Sequence, residues 1–239
     1  MTSGVIWHDL ECGTYRQDIA LWLALAREHR GPVLDVGAGT GRVALELARA
    51  GHRVTALDSD PELLGELGRR AAGLQLDTVL ADARDFDLAR RFAIVIVPMQ
   101  TIQLLGGAAG RREFLRCAAR HLAPGAPLAI AIATALELFE LDGDGPAPMP
   151  DVRELDGVVY FSQPTAVRRD GDGFVLERRR DTVGRAGERH SSQDTIRLDR
   201  LTVRGLEREA SAAGLRTTGV RRIAATQEHV GSEVVMFVE

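Results

Sequence analysis

The run from Val33 to Arg42, VLDVGAGTGR, constrains this chain more than any other stretch: an apolar segment closes on Asp35 and opens into glycines at 37, 39 and 41. An amphipathic segment follows. A buried strand turning sharply into a helix fits that order, since glycine reaches positive φ and lets another group approach the backbone closely. Ligands of open α/β sheets gather beyond the carboxyl ends of the strands. The helix that follows would add free N–H groups and the positive end of its dipole at the same place. The turn is therefore expected to bind a cofactor.

Its spacing discriminates between cofactors. A dinucleotide fingerprint needs a third glycine where Arg42 stands, which disfavours a nicotinamide enzyme. Two further predicted strands end in carboxylates on the same edge, Val54 to Leu57 at Asp58 and Leu76 to Ala81 at Asp82. Such carboxylates suit a nucleoside that carries a cation better than one that carries a pyrophosphate, and Asp58 can accept from both hydroxyls of a ribose.

In this order, Asp35, the glycines, Asp58 and Asp82 resemble the class I S-adenosylmethionine-dependent methyltransferases, from about Val33 to Thr134 and on towards Glu239. The resemblance implies an α/β fold, a Rossmann-like seven-stranded mixed sheet, with S-adenosylmethionine as cofactor and S-adenosylhomocysteine as product. It places Gly37 and Gly39 along the methionine part, with Asp35 at the strand end beneath. Asp58, with Ser59 beside it, meets the ribose; Asp82 and Ala83 meet the adenine; Pro98, just past the fourth strand, lies near the methionine amine. A plainer reading of the same residues stays open, in which the glycines only shape a tight turn and Ser59, Pro61 and Glu62 form a capping box.

The rest of the chain is organised around that core. Residues 1–31 read as an N-terminal lid and a helix over Arg16–Arg30, with Trp7, His8, Asp9, Cys12 and Tyr15 ahead of it. By the resemblance, Tyr15 is the aromatic residue that covers the cofactor. Residues 32–140 and 201–239 form the methyltransferase core, where helices predicted to stop at Gly51, Gly73 and Gly214 alternate with strands. Residues 141–200 break the alternation. A glycine- and proline-rich linker leads into strands over Val158–Arg168 and Phe174–Val183 joined by Asp-Gly-Asp-Gly, with a third near Ser191–Leu198. This antiparallel β flap is expected to shape a substrate pocket or pair with a second copy as a homodimer. Its arginines, Arg168, Arg169, Arg178, Arg179 and Arg180, either attract an anionic substrate or form a solvated face balanced by Asp170, Asp172, Glu177 and Asp181.

Composition excludes some chemistry. Hydrophobic residues make up 45% of the chain but aromatics only 5%, so the core should be aliphatic. All 30 basic residues are arginine, which removes any mechanism that needs a lysine. A net charge of −4 makes nucleic acid an unlikely partner. Cys12 and Cys117 form no metal or disulfide pattern, and with no signal sequence or membrane-length apolar run a cytoplasmic location is expected.

Methyl transfer from a sulfonium is an in-line displacement, so the protein mainly supplies alignment, exclusion of water and sometimes a base. His29, His52 and His121 fall at helix ends and read as structural. The family's sheet places Gln227, Glu228 and His229 at the cofactor edge, which makes His229 the candidate base; His8 and His190 come next. Gln100, Thr101 and Gln103 either orient the acceptor or cap the turn after Pro98. Val97-Pro98-Met99-Gln100 departs from the pattern of nucleic-acid amino methylases, leaving an oxygen or nitrogen of a small-molecule metabolite as the expected acceptor. A nucleic-acid or protein methyltransferase, or a non-catalytic cofactor-binding module, remains the alternative.

Overall fold

A computed structural model describes residues 1–141, 148–226 and 229–239. The sequence's alternation of short apolar runs and glycine-stopped helices produces a seven-stranded sheet. Its strands are β1 (Val33–Val36), β2 (Val54–Asp58), β3 (Leu76–Leu80), β4 (Ile94–Val97), β5 (Leu128–Ile132) and, after the flap, β11 (Arg216–Ile223) and β12 (Ser232–Val238). Their order is β11-β12-β5-β4-β1-β2-β3. β1 pairs in parallel with β2 and β4, β2 with β3 and β4 with β5, while β12 runs antiparallel between β5 and β11.

Both faces of the central strands are covered, so their side chains alternate between two apolar layers. Leu34, Val36, Val95 and Val97 face Phe114, Leu115 and Leu206. Those last come from helices α5 (Gly107–Arg120) and α6 (Val203–Ala212). Val33, Ile94 and Ile96 face Trp22, Leu25, Leu47 and Leu67, from α2 (Ile19–Glu28), α3 (Ala44–Arg49) and α4 (Pro61–Arg70). The same alternation sends Asp35, the one charged residue of β1, into the second layer.

Three local features of the helices depart from the expectations. Residues 3–12 form a helix, α1 (Ser3–Cys12), and the second helix begins at Ile19 rather than Arg16. The cap of α4 is Asp60, not Ser59: the Asp60 carboxylate accepts from the Glu62 and Leu63 N–H groups at 2.8 and 3.1 Å. Pro61 at the first helical position holds the residue before it extended, which is the backbone shape an N-cap requires.

The flap contains more strand than its sequence suggests. β6 (Phe139–Glu140), β7 (Asp151–Leu155), β8 (Val158–Asp170), β9 (Gly173–Val183) and β10 (Arg189–Asp199) form one antiparallel sheet, with β6 and β7 both pairing to β8. Asp142, Gly143, Asp144, Gly145 and Pro146 of the expected linker lie outside the described residues. Where β10 ends, Asp199 ties the flap to the core. Its carboxylate accepts from Arg111 Nη1 and from the Gly107 N–H at 2.7 Å, and its carbonyl accepts from Gln103 Nε2 at 2.9 Å. Arg111, only 6% exposed, also donates to Glu209 from Nε and Nη2, both at 2.8 Å.

Replacing Arg111 leaves two carboxylates half-stranded against the core. Arg111→Leu should cost about 2–3 kcal/mol and lower the melting temperature by roughly 5–10 °C, read by calorimetry.

Candidate active site

The carboxyl ends of β1, β2 and β4 meet at one edge, and the glycine turn fills it. Gly37 and Gly39 have φ of 74° and 55°, a region costly for other residues. A Cβ at Gly37 would collide with Thr101, and one at Gly39 with the His8 ring. The Asp58 carboxylate closes the turn from the next strand. Its Oδ2 accepts the Gly39 N–H at 2.7 Å and its Oδ1 the Asp60 N–H at 3.0 Å. Asp58 therefore shapes the turn itself, besides offering remaining lone pairs to a ligand.

Beneath the turn, Asp35 is 0% exposed, and no hydrogen bond of full geometry reaches its carboxylate, the backbone N–H of Ala44 at the start of α3 acting on it only as a weak partner. Burial drives its pKa up to about 7, against the pull of the Arg42 guanidinium and with a further push from Asp58 and Asp18. Arg42 is already committed, donating from Nη1 and Nη2 to the buried Asp18 carboxylate and from Nη1 to the Tyr15 carbonyl at 2.9 Å. A buried carboxylate without a partner is costly. A cation seated over the turn would lower that cost through the field alone, and S-adenosylmethionine brings a sulfonium and an ammonium. The residues present fit that cofactor.

At the remaining expected positions, Asp82 is held by Arg84, whose side chain and amide donate to it and keep its carboxyl low. Ala83 packs beside the α5 layer. Pro98 is buried, its carbonyl accepting the Thr101 hydroxyl at 3.0 Å, and Met99 next to it stands at φ 55°. Such a non-glycine φ is strain of the kind stored at functional edges. Ser59 is exposed beside Asp58. Gln103 neither orients an acceptor nor caps the turn. It is buried, bonding both the N–H and C=O of Ala133 as well as Asp199.

Two residues chosen separately from the sequence come together. Tyr15 and His229 stack edge to face at 5.1 Å, with the Arg42 guanidinium 5.1 Å from the Tyr15 ring centre. The loop carrying His229 is held by reciprocal bonds, Thr226 N–H to the His229 carbonyl and His229 N–H to the Thr226 hydroxyl. Gln227 and Glu228 lie outside the described residues. His121 is structural, its Nε2 accepting the Leu88 N–H at 3.0 Å and its Nδ1 2.7 Å from the Cys117 carbonyl.

The lid reaches from the turn to the flap. His8 covers Gly39 while Glu11, one helical turn along α1, accepts from Arg180 Nε at 2.7 Å and from the Ser162 hydroxyl at 2.7 Å. Burial raises the Glu11 carboxyl, but these bonds outweigh it and hold it below the usual range. Trp7 lies edge-on to Tyr160, under the Arg180 guanidinium. Arg178 is likewise engaged, with Ser162 at 2.8 Å and with Asp151. Arg168 pairs with Glu140 and Glu177, and Arg179 with Asp181. Four of the five flap arginines are thus neutralised within the chain, which favours the balanced face over an anion trap. Open clefts lie elsewhere among the described residues, one of about 720 Å³ beside the start of α6 and one of about 540 Å³ behind the glycine turn. The turn itself is roofed by His8 and Thr101.

Comparisons with known proteins agree with this geometry. The cypemycin N-terminal methyltransferase of a Streptomyces species is 31% identical over 127 residues, covering 53% of this chain and 52% of that protein. A probable cobalt-precorrin-6B C(15)-methyltransferase of Methanothermobacter thermautotrophicus is 33% identical over 129 residues, 50% of this chain and 64% of that protein. The chain thus spans about half the length of the first of these relatives and under two thirds of the second. Among solved structures, the sugar N-methyltransferase KedS8 from a Streptoalloteichus species superposes with a TM-score of 0.75 at 21% identity, over 100% of this chain and 94% of that one. The amino pentose methyltransferase CalS10 from Micromonospora echinaspora, solved with S-adenosylmethionine bound, gives 0.71 at 23% identity over 96% of each chain. Residues 33–125 match the model of the methyltransferase domain family, and together with this sheet order and glycine turn the match supports a class I S-adenosylmethionine-dependent methyltransferase.

Proposed function

We propose that the chain transfers a methyl group from S-adenosylmethionine to an amine nitrogen of a small metabolite, an amino sugar or the amino terminus of a small peptide. The observation that carries the cofactor half of this reading is the buried Asp35 carboxylate, without an ion-pair partner among the described residues, under a glycine turn where a Cβ at Gly37 or Gly39 would collide with Thr101 or His8. The acceptor half draws on the relatives, of which one is named for N-terminal and others for sugar-amine methylation. The internal pairing of the flap arginines supports a small acceptor over a nucleic acid, whose affinity needs free cationic groups.

When bound, the cofactor supplies a methyl group whose bond to sulfur breaks, its electron pair returning to sulfur, as the bond to the acceptor nitrogen forms. The protein's share is placement and proton handling. Asp58 holds the ribose while keeping the Gly39 N–H in register. Asp35 stabilises positive charge over the turn. His8 and Thr101 close the edge against water. His229, braced by Tyr15 and its own loop, takes a proton from the acceptor's ammonium before attack, leaving a neutral amine as nucleophile. Alignment of this kind lowers a barrier by about 7–11 kcal/mol, and a positioned base adds about 10²–10⁴-fold.

Isothermal titration of S-adenosylmethionine and S-adenosylhomocysteine should give micromolar binding to the wild type, weakened about 10–100-fold in Asp58→Ala. Absence of binding to the wild type would remove the cofactor reading. With a panel of primary amines as acceptors, His229→Ala should lower kcat about a hundredfold or more while cofactor affinity stays unchanged. An equal loss in both quantities would give His229 a structural role instead.

Asp35 also sets a pH dependence. Its pKa stands at about 7 in the fold against an ordinary 3.8, so ionising it costs stability that accumulates as pH rises from about 4 to 7 and is absent below. In the cofactor-free protein, Asp35→Asn should therefore raise the melting temperature near pH 8, with little gain near pH 4, and should weaken cofactor binding.

A further inference from the structure

The proton of His8 can be placed from its neighbours. A threonine hydroxyl carries one hydrogen. That of Thr40 is given to Asp9 Oδ1 at 2.7 Å. Asp9 accepts only: burial raises its carboxyl, but the bonds from Arg70 and Thr40 outweigh this and hold it below the usual range. Arg70 grips Asp9 with two nitrogens, Nη1 at 3.0 Å, and is anchored in turn by Glu66 at 2.8 Å. With its hydrogen spent, Thr40 Oγ1 can only accept from His8 Nδ1, 3.3 Å away. The neutral ring therefore carries its proton on Nδ1, and Nε2 is a bare lone pair.

That lone pair belongs to the ring atom nearest to where a Cβ of Gly39 would stand, at the mouth of the cofactor turn. Burial keeps the ring neutral and lowers its pKa, against the opposing pull of Asp9 and Glu11 on α1, Asp58 on β2 and Asp60 at the cap of α4. Arg70 on α4 and Arg153 on β7 face the same group through Asp9, Arg153 at 3.7 Å. No protein donor is assigned to Nε2 among the described residues.

We propose that His8 binds the cofactor, its unprotonated Nε2 accepting a hydrogen bond from a donor of S-adenosylmethionine seated along the glycine turn beside the ring, with Thr40, Asp9 and Arg70 as the positioning residues that fix its tautomer. The inference rests on the cofactor assignment and adds to it a lid residue that reads protonation. A protonated His8 presents a donor and a positive charge to a cationic ligand, so binding fails on acidification. Because α1 also carries Glu11 to Arg180 on β9, the same helix links the cofactor's seat to the flap.

Two measurements test it. In nitrogen-15 spectra of the wild type, His8 should show a protonated Nδ1 and an unprotonated Nε2 at neutral pH, and Thr40→Val should mix the two tautomers. Titration of S-adenosylmethionine should show about tenfold or greater weakening in His8→Phe, partial retention in His8→Gln, whose amide oxygen replaces the acceptor, and a loss of affinity on acidification that is steeper in the wild type than in His8→Gln, the difference separating His8 from Asp35. A proton on Nε2, or a His8→Phe protein that binds as tightly as the wild type, would overturn the proposal. If His8→Phe does not fold, the wild-type spectrum and the His8→Gln titration still decide. A wild type that binds no S-adenosylmethionine at all would instead overturn the cofactor assignment.

Discussion

One buried carboxylate organises this molecule's working edge. Asp35 faces the layer filled by α2, α3 and α4 because β1 alternates its side chains, and burial there is complete. Among the described residues no cation pairs with it: Arg42, whose field acts on it, is bound to Asp18, Asp18 also accepts the Trp22 indole N–H at 2.8 Å, and the Ala44 N–H offers Asp35 only a weak backbone contact. A fold that keeps an unpaired charge at its centre gives up stability for it. The glycine turn above, the Asp58 carboxylate beside it and the roof of His8 and Thr101 make sense as a seat for the cation that offsets this cost.

The lid and the flap belong to the same design. α1 touches the glycine turn with His8, α4 through Asp9 and Arg70, and the flap with Trp7 and Glu11. The flap is fastened to the core at its far end through Asp199, which gathers Arg111, the Gly107 N–H and Gln103. Changes at the flap therefore have a short path through α1 to the glycine turn. Of the arginines on β8 and β9, Arg178 and Arg180 fasten the flap to Glu11 on α1, whereas Arg168 and Arg179 pair with acids inside the flap.

Much of this was legible in the residues. β1, β2 and β5 follow directly from their apolar runs, and the carboxylates at the ends of β1 and β2 fall where their spacing placed them. Asp58 is the telling case: its position after β2 suggested a ligand-facing residue, and it does stand at the turn, although its bond to the Gly39 N–H is a long-range contact that no local pattern encodes. α1 was not legible as a helix. Thr2 makes no side-chain cap and the first turn holds no acid, so its helicity comes from packing against α4 and the flap. His8 therefore stands out less than His229 in the sequence, because only tertiary packing brings it over Gly39. At α4 the competing caps Ser59 and Asp60 differ by one position, and the extended geometry imposed by Pro61 decides between them.

A cation bound over the glycine turn should favour the ionised form of Asp35. The most direct test is the proton count on binding, obtained by titrating S-adenosylmethionine calorimetrically near pH 7 in buffers of different ionisation enthalpy. Since Asp35 titrates at about 7 in the free protein, binding should release a substantial fraction of one proton, and Asp35→Asn should abolish that release. Binding with no proton exchange, or an unchanged count in the variant, would contradict the account and leave Asp35 a buried charge without a role in the cofactor's seat.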